Sequence, residues 1–166
     1  TDTADATVTV TPYVAPNQAP TVSDFTETET ENTPETFMLS DFTAAFTDAD
    51  AGDQLEKIKI TSLPSQGDLQ LSGVSVTQDQ EITAAEIHSG LLTFVPATDF
   101  VGDATFDWSA YDGEAWSTTD ATVTVTIEAD TTPTVAALTL SVAATDDTNN
   151  DGKADHGNFD IDGQLT

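Results

Sequence analysis

The chain has 166 residues, no cysteine, and 30 acidic residues against three lysines, Lys57, Lys59 and Lys153, for a formal net charge of −27. A charge of that sign and size disfavours nucleic acid and anionic lipid as partners, because both repel it at long range. Without cysteine there is neither a disulfide framework nor a thiolate metal site.

Taken along the chain, the sequence predicts strands and little else. The heptapeptide Asp-Ala-Thr-Val-Thr-Val-Thr begins at Asp5 and again at Asp120, 115 residues on. Pro-Thr-Val begins at Pro20 and again at Pro133, 113 residues on, and a near-constant spacing of this kind is a module length. The repeat divides the chain into the last strand of a preceding module with its linker (1–16), one complete module (17–129), and a linker with the N-terminal part of a following, different β domain (130–166), which holds the calcium-loop motif DTNNDGKAD. No apolar stretch is long enough to span a bilayer, and the sequence reads as an internal or processed piece of something longer.

Alternating apolar and polar residues mark strands at Ala6–Thr11, in LEKIKIT (55–61), DLQLSGVSV (68–76), LLTFV (91–95), ATFDWSAY (104–111) and ATVTVTI (121–127). Turn residues punctuate them: Pro64, Gly67, Gly73, Gly90, Pro96, Gly102 and Asp112-Gly113. SDFTAAF and ITAAEIHSG each fit one helical turn, the second with Thr83 as N-cap and Glu86 closing a capping box. Short strands with regular turns predict an all-β, Greek-key sandwich of about seven strands, one of a tandem series. Parity predicts its core: Phe37, Leu39, Ile58, Ile60, Leu69, Leu71, Ile82, Ile87, Leu92, Phe94, Phe106, Trp108, Ala110, Val123, Val125 and Ile127. Trp108 reads as a core plug, and Tyr111 and Trp116, flanking the Asp112-Gly113 turn, as candidates for a sugar- or peptide-binding surface.

Oxygen-rich clusters are what Ca²⁺ prefers, and bound cations would relieve the self-repulsion of so acidic a chain. FTDADAGDQL (46–55), SAYDGEAWST (109–118) and NQAPTV (17–22), in that spacing, resemble the Asp-x-Asp-x-Gly, Ala-x-Asp-Gly and Asn-Asp-Asn-Ala-Pro signatures of cadherin repeats. IKITSLPSQGDLQLSGVSV followed by LLTFVPATDFVGDATFDWSAYDG is most similar to the cadherin-like repeats of giant bacterial surface adhesins, including those of RTX type. The resemblance implies a complete cadherin- or immunoglobulin-like sandwich over 17–129 in an extracellular, cell-surface protein, with Ca²⁺ at the junctions between neighbouring modules. It implies ligands Asn17, Asp48, Asp50 and Asp112 at the upstream junction, and Glu31 and Asp130 at the downstream one. The Leu-Asp-Arg-Glu segment of vertebrate cadherins is absent, with LLTFVPATDF in its place, so one or two ions per junction are expected rather than three.

DTNNDGKAD (147–155) separately fits the first half of an EF-hand-like loop: Asp147, Asn149 and Asp151 at positions 1, 3 and 5, Gly152 at the sharp turn, the Lys153 carbonyl at 7 and Asp155 at 9. Position 12 is Asn158 instead of glutamate, which predicts a weaker site or closure by Asp160 or Asp162. His88 and His156 are the only imidazoles, and no serine or lysine lies in a nucleophile motif, so no enzyme is expected. Three functions fit: a calcium-stiffened spacer of a long adhesin serving cell adhesion or biofilm attachment, with neighbouring modules as its partners and host or surface glycans bound through other domains; a carbohydrate- or peptide-binding module; or a strand-exchanging subunit of an extracellular filament, with Ala4–Thr11 as donor strand.

Overall fold

The computed structural model describes residue 13 and residues 15–131. The expected strand at Ala6–Thr11 and the loop formed by Asp147, Asn149, Asp151, Lys153 and Asp155 lie outside the described residues. Among the described residues, eleven strand segments and two short helices follow one another: β1 (Thr21–Val22), β2 (Phe25–Thr30), β3 (Glu35–Thr36), α1 (Leu39–Ala44), β4 (Phe46–Thr47), β5 (Lys57–Ile60), β6 (Gly67–Leu71), β7 (Val74–Ser75), β8 (Glu81–Thr83), α2 (Ala84–His88), β9 (Leu92–Pro96), β10 (Gly102–Tyr111) and β11 (Ala121–Glu128). Four of these, β1, β3, β4 and β7, are two-residue segments. Two of these, β3 and β7, lie at the edges of one sheet of the β-sandwich that the longer strands build.

One sheet has the order β2-β11-β10-β5-β8 and the other β3-β9-β6-β7, while β1 and β4 pair separately. The chain crosses between the two main sheets at almost every step, and only β6-β7 and β10-β11 are neighbours in both sequence and space. The arrangement positions the functional residues through one pairing. β2 runs parallel to β11, with Phe25 opposite Val123 and Thr30 opposite Glu128. A first long strand parallel to the last means that the chain enters the sandwich at one pole and leaves at the other.

The core follows the expected parity. Ile58, Ile60, Phe94, Phe106, Trp108, Val123 and Val125 are all fully buried or nearly so, and Leu39 and Leu71 pack at its margin. Phe42, Ala45, Leu55, Val76, Ala104 and Ala121 join them. Around Trp108 the aromatic rings meet edge to face: Phe42 at 5.0 Å, Phe25 at 6.2 Å, and beyond them Phe37 on Phe106 at 5.6 Å. Such contacts add to the burial of the rings themselves. Gly67, at φ +146°, opens β6 where the side chain of Phe94 and the carbonyl of Val95 come closest. A Cβ there would stand 2.5 and 2.6 Å from them.

Both helical turns form where expected. In α2, Thr83 Oγ1 accepts from the Glu86 N–H at 3.2 Å, while a Glu86 carboxylate oxygen accepts from the Thr83 N–H at 2.8 Å. Both bonds satisfy donors a helix otherwise leaves open, and the Thr83 N–H, with the Thr83 hydroxyl, holds the Glu86 carboxyl below its ordinary value.

β2 is an edge strand with an unusual inner face. Phe25, Glu27 and Glu29 are half-buried while Thr26, Thr28 and Thr30 are exposed, so two glutamates point into the seam beside β3. Inward charges on an edge discourage pairing with another chain. They also perturb Glu35 of β3. Burial, then the charges of Glu29 and Glu27, a hydrogen bond with Glu29 and the charge of Asp41 push its pKa from 4.5 up to about 7. A folded state that holds a proton more tightly than the unfolded chain loses stability as pH rises through the interval between the two values. The melting temperature in EGTA should therefore fall between pH 4.5 and about 7 and level off above. Glu35→Gln should flatten that slope; an unchanged slope in the variant would remove Glu35 as its source.

Candidate metal centre

Two acidic poles lie at the ends of the sandwich. At the pole where the chain enters, the loop after β4 carries Asp48, Asp50 and Asp53, and the turn after β10 carries Asp112. β10 runs antiparallel to β11, so its end at Tyr111 lies at the start of β11 and beside the start of β2. Topology therefore brings a turn 64 positions from Asp48 onto the same loop. One carboxylate oxygen each from Asp48, Asp53 and Asp112 lies within 4.8 Å of the others.

The members of this cluster are held differently. Asp112 is buried, and its Oδ1 accepts the N–H groups of Glu114 at 2.6 Å and Ala115 at 2.7 Å. Its Oδ2 accepts from Asn17 Nδ2 at 3.1 Å. Burial pushes the Asp112 carboxyl upward, but the N–H groups of Ala115 and Glu114 and the Asn17 amide outweigh it and hold it below its ordinary value. Asp53 has no such support. Burial first, then the charges of Asp48, Asp50 and Asp112, hold its carboxyl above the ordinary value. Asp48 Oδ1 accepts the N–H of Asp50 at 2.7 Å, whereas its Oδ2 is buried with no hydrogen-bond partner.

That orphaned oxygen tests whether the residues fit a cation. A buried carboxylate oxygen without a donor costs free energy unless something positive meets it. Three converging carboxylates, with the Asn17 amide beside them, are the hard oxygen donors Ca²⁺ takes, about six to eight at a time. The donor set fits calcium. A groove of about 580 Å³, lined by Gly52, Asp53, Leu55, Glu56, Thr83 and Asp112 among others, opens beside the cluster.

The structure thus brings Asn17, Asp48 and Asp112 together as the sequence predicts. Asp50 lies beside them but faces the linker, where its Oδ2 accepts the Gln18 N–H at 2.6 Å. Asp53 takes the place in the cluster expected for Asp50. Gly52, at φ +109°, reverses the loop and returns the next side chain toward Asp48.

At the opposite pole, Glu31 and Asp130 also meet as expected: Glu31 Oε1 accepts the Asp130 N–H at 2.9 Å, and the Glu31 N–H donates to the Glu128 carbonyl at 2.7 Å. Asp99, from the LLTFVPATDF segment, is drawn to Asn32 by two bonds. Asn32 Nδ2 donates to Asp99 Oδ1 at 3.1 Å and the Asp99 N–H donates to Asn32 Oδ1 at 3.0 Å. Asp99 was not expected there from the sequence, because the pairing joins residues 67 positions apart. Among the described residues, no three carboxylates converge at this pole.

Tyr111 and Trp116 form a bridge across their turn, with ring centroids 5.0 Å apart. Their faces are occupied by the outward side chains of β5. Lys57 Nζ lies 4.6 Å from the Tyr111 centroid and Lys59 Nζ 4.1 Å from that of Trp116. Lys57 also pairs with Glu81 at 2.6 Å, and that bond is the first cause of its raised pKa.

A two-sheet sandwich with parallel first and last long strands and an acidic pole where the chain enters has the architecture of a cadherin-like β-sandwich. The family described as the cadherin-like domain matches residues 16–128, and the chain belongs to that family. No curated protein matches its sequence. Among solved structures, an endo-fucoidan hydrolase of glycoside hydrolase family 107 is similar over 67% of this chain, with 20% identity and a TM-score of 0.38. The match covers 14% of that enzyme's chain.

Proposed function

We propose that the chain carries a calcium-stiffened extender module of a long bacterial cell-surface adhesin, of the RTX-adhesin type, serving cell adhesion or biofilm attachment without catalysis. The observation that carries this reading is the cluster of Asp48, Asp53 and Asp112 at the pole where the linker arrives, with Asn17 of that linker bonded to it. Parallel β2 and β11 add the second requirement of a spacer, a chain that enters and leaves at opposite poles. Asn17, Asp48, Asp53 and Asp112 would hold the ion. Bound Ca²⁺ supplies positive charge that joins linker and module, so neighbouring modules of the same chain are the partners. Membership of the cadherin-like family supports an extracellular location.

The sugar-platform reading of Tyr111 and Trp116 loses support, because lysines lie over the ring faces on which a sugar would stack. Small-angle scattering of a fragment of the full protein containing two intact modules tests the spacer. Its maximum dimension should be larger and its profile more rod-like in millimolar Ca²⁺ than in EGTA. Identical profiles in the two conditions would sink the stiffening mechanism.

A further inference from the structure

The two poles share a feature that the calcium reading does not use. At each, a carboxylate of the sandwich accepts a backbone N–H of the adjoining linker: Asp50 takes Gln18 at 2.6 Å, and Glu31 takes Asp130 at 2.9 Å. The contacts span 32 and 99 positions in sequence, so neither is a by-product of local turn geometry. Each leaves the second carboxylate oxygen outside that bond. We propose that Asp50 and Glu31 are metal-independent linker latches, positioning residues that fix the chain where it enters and leaves the module.

The repeat spacing gives the latches a common logic. Asp130 stands 113 positions after Asn17, as Pro133 stands after Pro20, so Asn17 and Asp130 are the same linker position. The N–H at that position is held by the module the linker leaves, through Glu31. The next N–H, that of Gln18, is held by the module it enters, through Asp50. Where like modules follow one another, consecutive amides of one linker are gripped from both sides. Hydrogen bonds to a charged acceptor are about twice as strong as neutral ones. A junction built this way keeps its linker docked before any ion arrives, and Asn17 is already beside Asp112 when one does.

The inference deepens the reading of the poles, and its test contains no metal, so that its failure and that of the calcium mechanism are separable. Amide hydrogen exchange of the 166-residue chain is followed by NMR in EGTA. Gln18 and Asp130 should exchange about tenfold or more slowly than their unstructured rates. Asp50→Ala should release Gln18 alone and Glu31→Ala should release Asp130 alone, with the amides of Val123 and Val125 unchanged as the control for folding. Asp50→Asn and Glu31→Gln, which keep an acceptor oxygen, should restore much of the protection. Unstructured exchange rates at Gln18 and Asp130 in the unaltered chain would overturn the proposal without recourse to any variant. So would protection that survives both alanine substitutions.

Discussion

Trp108→Ala should destabilise the module by about 3–5 kcal/mol, the range for deleting a large aromatic side chain from a packed core. The position shows no solvent exposure, and Phe42 and Phe25 meet the indole edge to face at 5.0 and 6.2 Å. Those two phenylalanines come from α1 and β2, elements that lie at the margins of the sandwich. The cavity would therefore loosen the attachment of the helix and the edge strand as well as the centre of β10. Trp116→Ala, by contrast, should cost about 1–2 kcal/mol. That residue is half-buried, and it loses a tilted contact with Tyr111 and the cations of Lys57 and Lys59 over its ring. Urea unfolding of the two variants in EGTA makes the comparison. Equal losses would contradict the placement of Trp108 as the plug and of Trp116 as an outer-face residue. One feature of Trp108 runs against simple burial: its Nε1 has no hydrogen-bond partner. Trp108→Phe, which removes that orphan donor along with some volume, should therefore cost much less than Trp108→Ala.

Why Trp108 was legible in the sequence and Phe42 was not is a matter of period. β5, β9 and β11 alternate strictly, and β10 does so from Ala104 to Trp108, because one face of each sheet is buried and the other wet, and that period of two is printed directly in the residues. Phe42 sits in a single six-residue helical turn, too short to display a helical stripe, and its burial depends on what α1 packs against. β2 was hidden for a different reason. Its inner face is Phe25, Glu27 and Glu29, so the expected apolar alternation is replaced by glutamate at two of three positions. β1, β3 and β4 are two residues long and owe their existence to their partners.

The site divides in the same way. Asn17, Asp48, Asp112, Glu31 and Asp130 could be assigned through their place in a series of motifs. Asp53 and Asp99 needed the fold, since the first depends on how the chain reverses at Gly52 and the second on contact with Asn32 across the sandwich. Asp50 shows the limit of motif reasoning. The motif puts it beside Asp48, but backbone direction sends its carboxylate to the Gln18 N–H.

Calcium at a hundredfold excess over its Kd should raise the stability of the 166-residue chain by about 2.7 kcal/mol through binding to the folded state alone, roughly 10 °C in melting temperature for a module of this size. Substitutions within the cluster separate this mechanism from general screening of a −27 charge. Asp53 carries a carboxyl held above its ordinary value by burial and by the charges of Asp48, Asp50 and Asp112, so in EGTA its ionised form opposes folding. Asp53→Asn should therefore raise the melting temperature in EGTA while reducing the rise produced by Ca²⁺. Asp112 has the opposite sign. Its carboxylate accepts the N–H groups of Glu114 and Ala115 and the Asn17 amide, and its pKa is held down, so above its ordinary pKa the ionised form favours the fold. Asp112→Asn should lower the melting temperature in EGTA and abolish most of the calcium response. Monovalent salt at matched ionic strength should stabilise all three proteins nearly alike, because it acts mainly on the many exposed carboxylates they share and screens a partly buried cluster much less. If Ca²⁺ raised the melting temperature of the unaltered chain no further than that salt does, or raised Asp53→Asn and Asp112→Asn by the same full amount, the cation would be acting as counterion to the whole surface and not as a ligand of this pole.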